Sequence, residues 1–183
     1  MSDLLDALLA LVPLESLPRT GWIQRGIETP ESIAGHVLGT GFLALALAPG
    51  VEPPLDVARV VALCAVHDAP EALLGDLPRA GARLLPEGAK ASAEDRAAEQ
   101  LLSPLSGLAL ERYREVTALE SREARLAKLC DGLQLGVRLL AYLRAGRRGL
   151  DEFRATLAEL DCSEFAPAEE LQAELMAALK AAA

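Results

Sequence analysis

The sequence predicts an all-α fold, arranged as a single-domain helical bundle. Apolar side chains make up 51% of the 183 residues, chiefly Ala and Leu, while only 3% are aromatic. Clusters of Val, Ile, Thr and Tyr, the residues that suit a pleated surface, are nearly absent. Helix start and stop signals recur along the chain instead. A chain of this length can bury one sizeable hydrophobic core.

Ser2 is the expected N-cap of a first helix near residues 3–12, which Pro13 stops. Residues 13–29 read as irregular, with Pro18, Gly21 and Gly26. Thr29-Pro30-Glu31 joins a capping hydroxyl, a proline at the first helical position and an acid, so a helix is expected from there to Ala48, ended by Pro49-Gly50. The next helix follows Pro53-Pro54 and carries Val57, Val60, Val61 and Cys64 at helical spacing. Pro70 disfavours α geometry at Ala69 and so ends that helix beside His67-Asp68.

Pro70 itself opens a short helix over 70–74, closed by Gly75, and residues 76–91 read as loop. Helices near 92–103 and 107–118 precede the longest, 121–145, with Leu126, Leu129, Leu133, Val137 and Leu140 on its buried face. Amphipathic segments at 149–160 and 167–181 close the chain. Their stripe of Leu171, Leu175 and Met176 suits either the core or a second copy in a homodimer, and both uses stay open.

The net charge of −9 argues against nonspecific binding to nucleic acid or to an anionic membrane. A phosphate-bearing substrate then requires local positive charge at its site. The apolar run Leu4 to Val12 has Asp3 and Asp6 where a signal peptide has cations. No stretch reads as reaching the ~18 to 20 apolar residues that cross a bilayer. Cys64, Cys130 and Cys162 are odd in number and form no C-x-x-C pair, which fits reduced thiols in a cytoplasm.

Both histidines sit where a divalent cation could use them. His36 lies within a helix beside Gly35, Gly39 and Gly41, each costing about 0.5–1 kcal/mol relative to Ala. A helix weakened there makes sense if an ion and its substrate occupy the space. His67-Asp68 falls at a helix terminus, where adjacent side chains can reach one ion. Glu71 follows in the first turn of the next helix, where it also suits the helix dipole, and Asp76 follows Gly75. Asp131 is flanked by Leu129, Cys130, Leu133 and Leu135, and an ionised carboxylate among apolar groups needs a partner or a metal. Lys128, three residues before it, is one available partner. Two imidazoles and two carboxylates suit one divalent ion.

These residues resemble the HD superfamily of metal-dependent phosphohydrolases, and within it the 5′-deoxynucleotidase family. Pro18-Arg19-Thr20-Gly21-Trp22, Arg25 and Pro30-Glu31-Ser32-Ile33-Ala34-Gly35-His36 are similar to that family's N-terminal segment. His67-Asp68-Ala69-Pro70-Glu71 with Gly75-Asp76 resembles its central motif, and Lys128-Leu129-Cys130-Asp131 the segment that supplies the last ligand. The resemblance covers roughly residues 14–145.

It implies a helical fold of the HD type and hydrolysis of deoxyribonucleoside 5′-monophosphates. It also implies that His36, His67, Asp68 and Asp131 bind one ion, which could be Mn²⁺, Co²⁺, Mg²⁺, Fe²⁺ or Zn²⁺. Glu71 and Asp76 would handle protons, and Arg19, Trp22 and Arg25 would hold phosphate and nucleoside. Gly35 departs from the pattern, since relatives carry an acid just before the histidine; a polar contact behind His36 is then missing from the motif. Alternatives within the same chemistry are another nucleotide or phosphorylated metabolite, and outside it an inactive nucleotide-binding domain.

Overall fold

The computed structural model describes residues 3–182, and most of these fall into helices. In order these are α1 (Asp3–Leu11), α2 (Thr20–Ile23), α3 (Ile33–Leu47), α4 (Val57–Val66), α5 (Glu71–Leu74), α6 (Arg79–Ala82), α7 (Ala89–Leu102), α8 (Gly107–Ala118), α9 (Arg122–Arg144), α10 (Asp151–Ala158) and α11 (Ala166–Ala181). The proposed cap Ser2 lies outside the described residues.

Three helices, α3, α4 and α9, pack on one another and frame the region where the histidines meet. Helices α10 and α11 cover another side of α9, while α8 leans on α4 and α9, and α7 joins α8 to α1. The main core runs through Leu63, Leu126, Leu133, Phe165 and Leu179. A smaller cluster of Ala69, Ala98, Leu101, Leu102 and Tyr113 lies under the turn that follows Asp68. In the C-terminal stripe, Leu175 is buried, and Leu171 and Met176 pack against the main cluster.

Two glycines fix how α9 meets α10. A Cβ on Gly132 would lie 2.7 Å from Leu160 Cδ1, and one on Gly136 would lie 2.8 Å from Leu157 Cδ2. The glycines are therefore notches that let two leucines seat against the helix.

The local expectations fail in instructive places. Helix α3 begins at Ile33, not Pro30, because Ser32 is its cap and accepts a hydrogen bond from the Gly35 N–H at 3.1 Å. Residues just before it are held extended: Pro18 and Ser32 form an antiparallel bridge, Arg19 N–H donates to Glu31 O, and Ile33 N–H donates to Leu17 O. That pairing outcompetes the Thr29-Pro30-Glu31 start signal. Short helices also form where loop was expected, at α2 and α6, and α7 starts earlier, at Ala89.

The run Ile33–Gly50 corrects one exclusion, since its 18 residues and mean hydropathy of 1.5 meet the length and composition of a membrane span. His36, Thr40 and the glycines interrupt it as an apolar stretch without lowering its average enough. In this structure 33% of the run is buried, and both His36 and Thr40 are on that buried side.

Candidate metal centre

Helix α4 ends at Val66 and leaves His67 as its C-cap, with Pro70 at the N-cap of α5. This turn turns the adjacent His67 and Asp68 side chains to one place. His36 comes from the N-terminal end of α3 and Asp131 from α9, so three separate segments converge. Ligand atoms of His36, His67 and Asp68 all lie within 4.8 Å of one another. Asp131 joins them through Oδ1, 3.1 Å from His36 Nε2; Asp68 Oδ2 is 3.6 Å from the same nitrogen and 3.2 Å from His67 Nε2.

The outer nitrogen of each ring is already used. His67 Nδ1 is 2.7 Å from Cys64 O, and His36 Nδ1 is 2.6 Å from Gln134 Oε1. Both partners are acceptors, so each Nδ1 carries a hydrogen, and in the neutral ring that a cation binds, each Nε2 presents its lone pair. Those two Nε2 atoms and Glu71 Oε2 are buried with no hydrogen-bond partner. Buried polar groups without partners are rare and costly, and inward-facing imidazole lone pairs beside two carboxylates are what a divalent cation satisfies. The residues present fit such an ion.

The electrostatics follow from burial and crowding. Burial works against charge on His67, but the Asp68 carboxylate outweighs it and raises the imidazole to about 9. Burial also opposes ionisation of Asp131, yet contact with His36 and the Lys128 ammonium hold it well below the usual carboxylate range. Lys128 Nζ sits 2.7 Å from Asp131 Oδ2, the pairing considered from sequence, while Oδ1 faces His36. Glu71 is pushed up to about 8 by burial first, then by Asp68 and Asp76.

Of the residues proposed for substrate, Arg19 alone reaches the cluster, with Nη1 3.4 Å from Asp68 Oδ2. Asp76 holds the neighbouring backbone: its Oδ2 accepts from Thr20 N–H at 2.6 Å, and its carbonyl accepts from Thr20 Oγ1 at 2.8 Å. Trp22 is only 2% exposed, packed against Phe153 at 4.0 Å and Tyr142 at 5.1 Å between ring centroids. Its ring packs in the core and its indole N–H donates to Glu31, so the structure does not bring this proposed substrate contact to the cluster. Arg25 pairs with Glu152 at the surface, away from the cluster.

Sequence reasoning missed Gln134, Glu31 and Arg138. Gln134 Nε2 donates to Glu31 Oε2 at 2.8 Å, Arg138 Nε donates to the same oxygen at 2.9 Å, and Trp22 Nε1 donates to Glu31 Oε1 at 3.1 Å. The contact missing at Gly35 is therefore supplied from α9. Gly39 is corrected too: a Cβ there would lie 2.9 Å from Gln134 Cγ, so the space is filled by a side chain and not by an ion. A glutamine between Leu133 and Leu135, three residues after Asp131, was the available signal, because a buried amide also demands partners.

A family profile described as HD domain matches residues 13–175. Among curated proteins, the chain is 31% identical over 144 residues to the 5′-deoxynucleotidase HDDC2 of Bos taurus, covering 76% of this chain and 68% of that one. It is 30% identical over 149 residues to the 5′-deoxynucleotidase hdd1 of Schizosaccharomyces pombe, covering 76% and 73%. The PH0347 protein of Pyrococcus horikoshii OT3 superposes with a TM-score of 0.82 at 28% identity, over 95% of this chain and 99% of that one. A Magnetospirillum magnetotacticum MS-1 structure, named as a predicted metal-dependent phosphohydrolase, shares the fold with a TM-score of 0.68 at 21% identity, over 98% and 93%. With its helices, its converging His36, His67, Asp68 and Asp131, and these relatives, the chain belongs to the HD domain family.

Proposed function

We propose that this protein is a metal-dependent phosphomonoesterase that releases phosphate from deoxyribonucleoside 5′-monophosphates. One observation carries the chemistry: two buried imidazole nitrogens without partners face the carboxylates of Asp68 and Asp131. The relatives named 5′-deoxynucleotidases support the substrate class. His36, His67, Asp68 and Asp131 would hold one divalent ion. When bound, that ion supplies Lewis acidity to a phosphoryl oxygen and a nucleophile near neutral pH.

The chain's own residues do the rest. Arg19, beside Asp68, offers a planar fork to the phosphate oxygens and offsets the repulsion of an acidic protein. Water adds to phosphorus while the bond to the 5′-oxygen breaks. Glu71, whose burial keeps its proton toward neutral pH, delivers that proton to the leaving oxygen. Asp76 takes the proton from water through Oδ1, because Oδ2 already accepts from Thr20 and holds Arg19's segment in place. The buried free thiols of Cys64, Cys130 and Cys162 suit a reducing cytoplasm.

A panel of deoxynucleotides, ribonucleotides and nucleoside triphosphates, assayed separately for phosphate and pyrophosphate with each metal, tests this reading. Phosphate release from deoxynucleoside monophosphates is the expected result. Release of pyrophosphate, or tight binding without turnover under every metal, would overturn it.

A further inference from the structure

We infer that Gln134 is a positioning residue that fixes the tautomer and direction of His36, and that Glu31 in turn fixes Gln134. The inference rests on the metal-site reading above and assigns the part of that site which motif and ligand set leave blank. The logic is closed by donors and acceptors. A carboxylate only accepts, so the end of the Gln134 amide facing Glu31 Oε2, 2.8 Å away, is its NH₂. The carbonyl end is then the one 2.6 Å from His36 Nδ1. A carbonyl also only accepts, so Nδ1 carries a hydrogen, and in the neutral, cation-binding ring Nε2 turns its lone pair toward Asp131 and Asp68.

Glu31 cannot swing to release this arrangement. Arg138 and Trp22 donate to its two oxygens, and its own N–H donates to the Tyr142 hydroxyl at 3.0 Å. The chain is carved to admit the relay, since any side chain at Gly39 would meet Gln134. Asp131 and Gln134, three apart on α9, lie on one face, so a single helix delivers both a ligand and the group that aims another ligand. An amide relays orientation without placing a second full charge against His36, which distinguishes it from a carboxylate in direct contact.

The test uses Gln134→Met, similar in length but without the acceptor, and Gln134→Glu, which keeps one. A protonated Glu at 134 could still donate to Glu31 and accept from His36, as the amide does. Ring ¹⁵N spectra of the metal-free protein report the result directly, because His36 and His67 are the only histidines. His67, bonded to the Cys64 carbonyl, is the internal reference. The His36 Nδ1–H signal should be present in wild type and Gln134→Glu and lost in Gln134→Met, with helical circular dichroism kept in all three.

Mn²⁺ affinity should fall about 10–100-fold in Gln134→Met and recover in Gln134→Glu. An unchanged His36 signal in Gln134→Met, or its loss in both variants, would overturn the inference. The ring spectra need no metal, so a wild type that shows the Nδ1–H signal but binds no Mn²⁺ would strike the metal-site reading while upholding the relay.

Discussion

The two histidines reach the same point by different means. His67 caps a helix and is held by the main chain, through the carbonyl of Cys64. His36 sits inside the N-terminal end of α3, fully buried, and is held by a side chain ninety-eight positions away. A backbone anchor survives most substitutions around it, because every residue type has a carbonyl. A side-chain anchor can be edited by one mutation. The His67 half of the centre is thus set by local chain geometry, and the His36 half by tertiary packing of α3 on α9.

The largest effect should come from removing a ligand in either half. His67→Ala and Asp131→Ala are each expected to abolish metal binding and phosphate release while the helical circular dichroism persists. Activity at the wild-type level in either variant would contradict the shared centre. Next in size, Glu71→Gln should lower kcat by about 10²–10⁴-fold, the range for a lost proton donor, with Mn²⁺ affinity nearly kept. A parallel loss of metal would make Glu71 a ligand.

The pH dependence of metal binding sharpens the His67 side. Its pKa in the metal-free protein is raised to about 9, so below that pH a cation must displace a proton from it. Affinity should therefore rise about tenfold per pH unit below 9 and level off above. Calorimetry in buffers of different ionisation enthalpy would count the proton released. The smallest effect belongs to the His36 side: Gly39→Ala gains about 1 kcal/mol of helix propensity but forces a Cβ to 2.9 Å from Gln134 Cγ. Overpacking of about 1–3 kcal/mol should win, giving a lower denaturation midpoint and weaker Mn²⁺ binding. An unchanged midpoint would show that Gln134 yields freely.

That contrast also explains what the sequence could disclose. The His67-Asp68 turn was legible because Pro70 dictates it within three residues, and Asp131 because an acid among leucines needs a reason. The longer helices were legible in order, though the four-residue α2 and α6 were not, nor were boundaries where extended pairing intervened, as at Pro18 and Ser32. The relay from Glu31 through Gln134 to His36 was not legible, since each step joins residues about a hundred positions apart. For the same reason Trp22 gave no sign from sequence that Phe153 and Tyr142 would enclose it.

The paired notches at Gly132 and Gly136 give the C-terminal helices a task remote from any chemistry. With Leu157 and Leu160 seated in them, α9 has one permitted roll about its long axis. Asp131 and Gln134 ride on that same rod, so the direction in which both face His36 is calibrated from elsewhere on the helix, by two leucines.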